Sequence, residues 1–265
     1  MSEKPVTYSE QAHVALITLN RSQSGNVIDS SLAQELQELC NEINLNDDIY
    51  MAVITGAGEK VFCTGSELEH LVLSGNTVTA AVSKLKDSAL RYEVAYSVSR
   101  VEKPVIAAIN GDTLGQGLEL ALSCDVRIAS ETAKFGFPYV SAGLIPMDGG
   151  TQRLPRLIGK GKAMELILSG DVIDATEALN IGLISQVVPQ KEVLATAMAF
   201  AQNAATKAPI ALRYVKEAVN KGMDLTLEQG IRLEADLYFL IHTTADRTEG
   251  IRAFQEKRKP QFKGK

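Results

Sequence analysis

Val105-Ile-Ala-Ala-Ile-Asn-Gly-Asp-Thr-Leu-Gly-Gln-Gly-Leu-Glu-Leu-Ala-Leu-Ser-Cys-Asp125 decides how the rest of the chain is read. Its first five residues are apolar without interruption, the pattern of a strand buried on both faces. Asn110-Gly111 ends that strand, small residues let the chain turn closely, and a helix begins near Gly115. The opening turn of a helix leaves backbone N–H groups unpaired at its positive end, and such groups suit an oxyanion. Glu119 falls in that first turn amid Leu118, Leu120, Ala121 and Leu122. A carboxylate there is either an ordinary helix-end stabiliser or a partly buried acid/base.

On either side, further strands are expected at Val14–Leu19, Ala52–Thr55, Val126–Ala129 and Ile184–Val188, mostly β-branched or apolar and bounded by Gly, Pro, Asn or Asp. Helical patterns lie between them. Ser30–Asn44 opens on Asp29/Ser30, good N-cap residues, and carries Leu32, Leu36 and Leu39 at helical spacing; Val78–Val101 has the same character. Strands alternating with helices define an α/β class. Beyond Glu192 the strand signals stop, and Leu194–Ala205, Ile210–Asn220, Leu227–Ile241 and Ala245–Lys257 read as four helices separated near Pro209 and Gly222. The expected organisation is an α/β core over 1–191 and a helical C-terminal region over 192–265. The Ala-rich Ala195–Ala205 and the apolar Leu227–Leu240 pack either within the chain or on a neighbouring subunit; an amphipathic face does not say which.

Composition excludes several classes. With 265 residues, 45% hydrophobic and 22% charged, the chain matches neither a disordered protein nor a membrane span. Its 27 Lys+Arg against 32 Asp+Glu give −5, which argues against a phosphate-backbone binder, so nucleic acid is not an expected partner. Cys40, Cys63 and Cys124 are odd in number and far apart, forming neither a disulfide framework nor a C-x-x-C pair. The opening MSEKPVTYSEQ has neither the apolar core of a signal peptide nor an Arg-rich amphipathic presequence, and the expected location is cytoplasmic, without a membrane.

Gly115-Gln116-Gly117 starts like a dinucleotide fingerprint, but Leu120 occupies the third glycine position. Gly159-Lys160-Gly161-Lys162 lacks the first glycine and the Ser/Thr of a P-loop. His13, His70 and His242 are scattered, and there is neither an H-E-x-x-H nor a G-x-S-x-G. No metal site is expected. What remains is a second glycine-kinked turn, Phe62-Cys-Thr-Gly-Ser-Glu-Leu68, in which small Ser66 lets a backbone N–H approach a ligand. Two such N–H groups make an oxyanion hole.

With both turns in view, the sequence resembles the crotonase superfamily, the enoyl-CoA hydratase/isomerase fold, over nearly its whole length. The resemblance is carried by Leu19-Asn20-Arg21, Val53-Ile54-Thr55-Gly56 through Phe62 to Leu68, Pro104–Asp125, Phe135-Gly136, Gly149-Gly150-Thr151-Gln152-Arg153-Leu154, Gly182-Leu183-Ile184 and Glu256-Lys-Arg-Lys-Pro260. It implies a spiral of ββα units with a helical C-terminal trimerisation region, hence a homotrimer or a dimer of trimers. It implies an acyl-CoA thioester substrate and no cofactor, coenzyme A being part of the substrate. The Ser66 and Gln116 N–H groups would hold the thioester oxygen, Glu119 would be the first catalytic carboxylate, and Thr64, Gly65, Leu68 and Gly115 would line the substrate.

Departures from the family pattern narrow the chemistry. Gln116 stands where the family usually has glycine. Tyr139 follows Phe135-Gly136-Phe137-Pro138, where the hydratases carry a second glutamate, and it either lines an acyl pocket or donates a hydrogen bond. Asp148 replaces a small residue and is either a cap on the helix beginning near Gly150 or a replacement catalytic carboxylate. The implied activity is enoyl-CoA hydratase/isomerase chemistry. The alternatives are isomerisation alone, decarboxylation or hydrolysis of an unusual (for example cyclic) acyl-CoA, or acyl-CoA binding with weak catalysis. The tail Arg252–Lys265, with six Lys/Arg against Glu256, is either a solvated end or a contact for CoA phosphates.

Overall fold

A computed structural model describes residues 4–66 and 93–265. The expected strands organise a six-stranded sheet. Strand β1 (Val6–Gln11) forms a hairpin with β2 (Val14–Leu19) through Ala12 and His13, both at positive φ as a two-residue hairpin turn requires. Then β3 (Met51–Gly56), β5 (Val105–Ile109), β7 (Val126–Ser130) and β10 (Gln186–Val188) add in parallel, in the order β1-β2-β3-β5-β7-β10. Every residue of β3 and β5 is buried, which is why both read as unbroken apolar runs.

The period-2 alternation of these central strands feeds two cores. Ala52, Ile54, Ala107 and Ile109 face one cluster with Leu32, Leu36 and Ile43 of α1 (Ser30–Leu45). Val14, Val53, Ile106 and Ile128 face the other, where they meet Val193, Ala197, Ala201 and Ala205. Those four residues recur every fourth position along the helix Val193–Ala205, so its Ala-rich stripe covers the sheet of its own chain. The helix Leu227–Ile241 differs: of its apolar residues only Leu237 is buried, while Leu227, Ile231, Tyr238, Phe239 and Leu240 are exposed in the single chain.

A second sheet, order β4-β6-β8-β9, is built from three-residue strands: β4 (Val61–Cys63), β6 (Asp112–Leu114), β8 (Lys134–Gly136) and β9 (Val172–Asp174). The chain alternates between the sheets, so β3, β5 and β7 enter the first and β4, β6 and β8 the second. This is the spiral of ββα units. The second strand of each unit runs parallel to its neighbours, so the C-terminal ends of β4, β6 and β8 reach one edge together.

Between these strands the described helices are α2 (Val94–Ser99), α3 (Gln116–Ser123), α4 (Gly150–Ile158), α5 (Lys160–Ser169) and α6 (Ala175–Asn180), followed by α7 (Val193–Ala205), α8 (Pro209–Gly222), α9 (Leu227–Ile241) and α10 (Ala245–Gln255). The four C-terminal helices agree closely with the sequence expectation; three of them start at a helix-initiating residue, α8 at Pro209, α9 after the cap Thr226 and α10 after the cap Thr244. Of the expected helix Val78–Val101, only 93–101 falls within the described residues, where Val94–Ser99 is helical. The last strand begins at Gln186 rather than Ile184; Leu183 and Ile184 turn back onto Ala178. Cys40, Cys63 and Cys124 are all buried free thiols, with burial pushing each up to about 12. Among the described residues no helix is long and apolar enough to cross a membrane, and no three His, Cys, Asp or Glu side chains are grouped to hold a metal.

Candidate active site

Three chain reversals meet where β4, β6 and β8 end: Thr64-Gly65-Ser66, Gly115-Gln116, and Pro138-Tyr139 in a 3-10 turn over Pro138–Ala142. Gly65 holds φ +87°, and a Cβ built on it would stand 2.8 Å from Gln116 N, so the first two turns are in direct contact. Only glycine satisfies both the left-handed backbone and that approach. Ser66 also bridges Ile28, whose N–H donates to Gly65 O at 2.9 Å. Buried Asn26 fixes the same region from behind: its Nδ2 donates to Ala57 O, Val61 O and Phe62 O, and its Oδ1 accepts from Arg21 N.

Helix α3 starts after Gly115, whose φ is +52°, and its residues Gln116–Ser123 are all buried. Glu119 is 0% exposed, yet every polar contact it needs is present. Its Oε1 accepts from Gly150 N at 2.7 Å and Asp148 N at 2.8 Å, and its Oε2 accepts from the Tyr139 hydroxyl at 2.9 Å. A carboxylate has about four lone-pair sites, so Oε1 is saturated and Oε2 keeps one. Burial pushes the Glu119 carboxyl above the ordinary glutamate range, and the bonds from Gly150, Asp148 and Tyr139 pull it part of the way back. The Tyr139 phenol is pushed upward by burial and by the Glu119 charge, so it stays protonated and donates. A Cβ on Gly115 would lie 3.5 Å from Tyr139 Oη, which puts the phenol–carboxylate pair beside the Gln116 turn.

Asp148 is buried, and its carboxylate is engaged elsewhere than expected. The helix at Gly150 is preceded by Gly149 in the left-handed region and has no side-chain cap. Asp148 instead accepts from Ala95 N at 2.7 Å and Tyr96 N at 3.1 Å, capping α2 from across the fold, and from Gln116 Nε2 at 3.2 Å. Burial raises its pKa, and these donors oppose the rise. Gln116 Oε1 in turn accepts from the Ser66 hydroxyl.

Of the residues singled out in the sequence, Gly65, Ser66, Gly115, Gln116, Glu119, Tyr139 and Asp148 form one connected group. Thr64 belongs to the turn, but its hydroxyl and N–H both donate to Gly25 O. Leu68 lies outside the described residues, as do Glu67, Glu69 and His70. Two contributors were not singled out as site residues. Gly150 brings its N–H to Glu119, and a Cβ there would sit 3.0 Å from Glu119 Oε1; the Gly149-Gly150 pair next to an acidic residue is the signal. Asn26 has φ +52°, and its sequence signal is the Gly25-Asn26 turn pair.

The two glycine-kinked turns and the buried acid beside them define a class: a fold whose solved representatives include an enoyl-CoA hydratase from Bacillus anthracis, matched at TM-score 0.92 and 39% identity over 98% of this chain and 100% of that one. The chain belongs to the enoyl-CoA hydratase/isomerase family, whose model matches residues 9–265. Its relatives include the Bacillus subtilis protein YngF, 44% identical with 95% of each chain covered. The (E)-benzylidenesuccinyl-CoA hydratase of Thauera aromatica is 40% identical, covering 98% of this chain and 99% of that one.

Proposed function

We propose that this protein converts an enoyl-CoA thioester through an enolate held by the Ser66 and Gln116 backbone amides, with Glu119 as the proton-transfer group. The observation that carries this reading is Glu119 itself, wholly buried, next to the junction of two glycine turns, with one lone-pair site of Oε2 remaining for a substrate proton. In hydration, Glu119 takes a proton from water as its oxygen bonds to Cβ, the double-bond electrons move onto the thioester oxygen, and the same carboxyl returns the proton to Cα. Preorganised amides are worth most at that oxygen, where the charge develops. Asp148 meets the Gln116 turn through the Gln116 side chain, whereas the Glu119–Tyr139 pair abuts that turn directly. A single acid/base also suits a double-bond shift, in which Glu119 carries a proton from Cγ to Cα.

Purified protein screened against straight-chain, branched and cyclic enoyl-CoAs tests the reading. Loss of enoyl-thioester absorbance with a product mass increased by one water identifies hydration, and conversion at unchanged mass identifies isomerisation. Absence of turnover across the panel overturns it.

Tyr139→Phe removes a donor that lowers the Glu119 pKa. The acidic limb of the kcat/KM profile is therefore expected to move to higher pH, because Glu119 then accepts its proton more readily and the base form is lost sooner on acidification. A hydrogen bond to a charged group contributes about 1.5–3 kcal/mol, so kcat falls less than on removing Glu119. An unmoved acidic limb would assign that limb to another group.

For assembly we propose a trimer, or a hexamer of two trimers, formed through α8–α10. Leu227, Ile231, Tyr238 and Phe239 of α9 and Val215 and Val219 of α8 are more than half exposed in the single chain. Sedimentation at micromolar concentration is expected to give a multiple of three; a 28.6 kDa species contradicts it.

A further inference from the structure

We propose that Asp148 is a positioning residue that fixes the two oxyanion turns through the Gln116 side chain. The inference rests on the functional reading above. Three residues, two from the glycine turns and one from the loop before α4, form one relay: the Ser66 hydroxyl donates to Gln116 Oε1, Gln116 Nε2 donates to Asp148 Oδ2 at 3.2 Å, and the Asp148 carboxylate is anchored by Ala95 N and Tyr96 N.

The relay has one polarity. An ionised carboxylate only accepts, so the Gln116 amide must turn its NH2 toward Asp148 and its carbonyl toward Ser66, and Ser66 must donate. The anchor is rigid because both backbone donors belong to the first turn of α2. Ser66 and Gln116 are the residues whose own N–H groups are assigned to the thioester oxygen, so tying their side chains together fixes the spacing of those N–H groups. Leucine at position 148 breaks the relay: it fills a similar space but accepts from none of Gln116 Nε2, Ala95 N and Tyr96 N, whereas an asparagine oxygen in the place of Oδ2 would keep the bonds from Gln116 Nε2 and Ala95 N.

Two sequence departures thereby explain each other. Where the family pattern has glycine at position 116 and a small residue at 148, neither end of this bond exists. In this chain they occur together and touch.

The test uses Gln116→Met, which keeps the side-chain length and leaves the Asp148 cap on α2 intact, together with Asp148→Leu and the double variant. The readouts are kcat and KM on whichever enoyl-CoA the wild type converts, thermal melting, and the near-ultraviolet band of the enolate of bound acetoacetyl-CoA, which reports stabilisation of the oxygen without turnover. Each single variant is expected to lower kcat about 10- to 100-fold with KM nearly unchanged, the magnitude that loss of precise alignment costs. The enolate band weakens in both. The double variant is expected to be no worse than the poorer single, since the two residues act in series.

Multiplying losses in the double variant overturn the relay and make Asp148 an independent proton-transfer group. A lower melting point with kcat and enolate band retained leaves Asp148 only a helix cap. If Asp148→Leu does not fold, Gln116→Met decides alone. If the wild type converts no enoyl-CoA, the functional reading falls, while the enolate band still tests the relay. A wild type that forms no enolate band overturns the assignment of both amides and the relay with it.

Discussion

Glu119→Gln is expected to lower kcat by about 10²- to 10⁴-fold while leaving CoA-thioester affinity nearly unchanged, the cost of losing a positioned acid/base. The substitution isolates chemistry from structure because the amide fits the existing donors. Its Oε1 can take the two bonds from Asp148 N and Gly150 N, and its Nε2 can donate to Tyr139 Oη, which accepts as well as it donates. Stability provides a second readout with a defined sign. The folded-state pKa of Glu119 lies above its ordinary value, so the stability tied to its protonated form is present at low pH and is lost as pH rises through the folded pKa. Glutamine has no such titration. The melting point of the variant relative to wild type should therefore rise across that interval. Wild-type turnover by Glu119→Gln would remove Glu119 from the proton-transfer step.

Gly117→Ala is expected to damage the same site through the backbone. A Cβ at Gly117 would stand 2.2 Å from Cys63 O and 2.8 Å from Cys63 C, and neither atom can yield as a flexible side chain would. Helix α3 and strand β4 must separate. Since α3 carries Gln116 and Glu119 while β4 leads into Gly65-Ser66, the two amides spread apart. Overpacking of this kind costs about 1–3 kcal/mol of stability, and misalignment of this order costs about 10²-fold in rate. Gly161→Ala is the control: it lies in α5, nothing stands within 4 Å of the added Cβ, and alanine favours a helix over glycine by up to about 1 kcal/mol. Equal activity of the two variants would show that the α3–β4 contact does not set the site.

Much of the frame was legible in the residues. The central strands read as strands because both faces are buried, and α1 and the C-terminal helices because caps and apolar spacing agree. The second sheet was not, since three residues are too few to show a period of two. Helix α4 was legible only as a start near Gly150: it contains Pro155 and buries only Gly150 and Leu154, leaving little apolar face to read. The spiral repeat had no sequence repeat to betray it, because the conserved quantity is the path between two sheets rather than a residue pattern. At the site, a helix opening at Gly115 with Glu119 in its first turn was visible, and so was the turn around Gly65.

What the sequence determined by itself is local: two turns that only glycine can make, an acid in the first turn of an apolar helix, and an aspartate beside a glycine pair. Which donor meets which acceptor was decided by tertiary structure. Asp148 could be read as a cap from its neighbours, but the helix it caps is 52 residues away, and its bond to Gln116 spans 32. Ser66 and Gln116 are 50 apart. Contacts of that span are set by the parallel register of β4, β6 and β8, which brings the ends of three separate units to one edge; sequence spacing carries no record of that register when each strand is only three residues long.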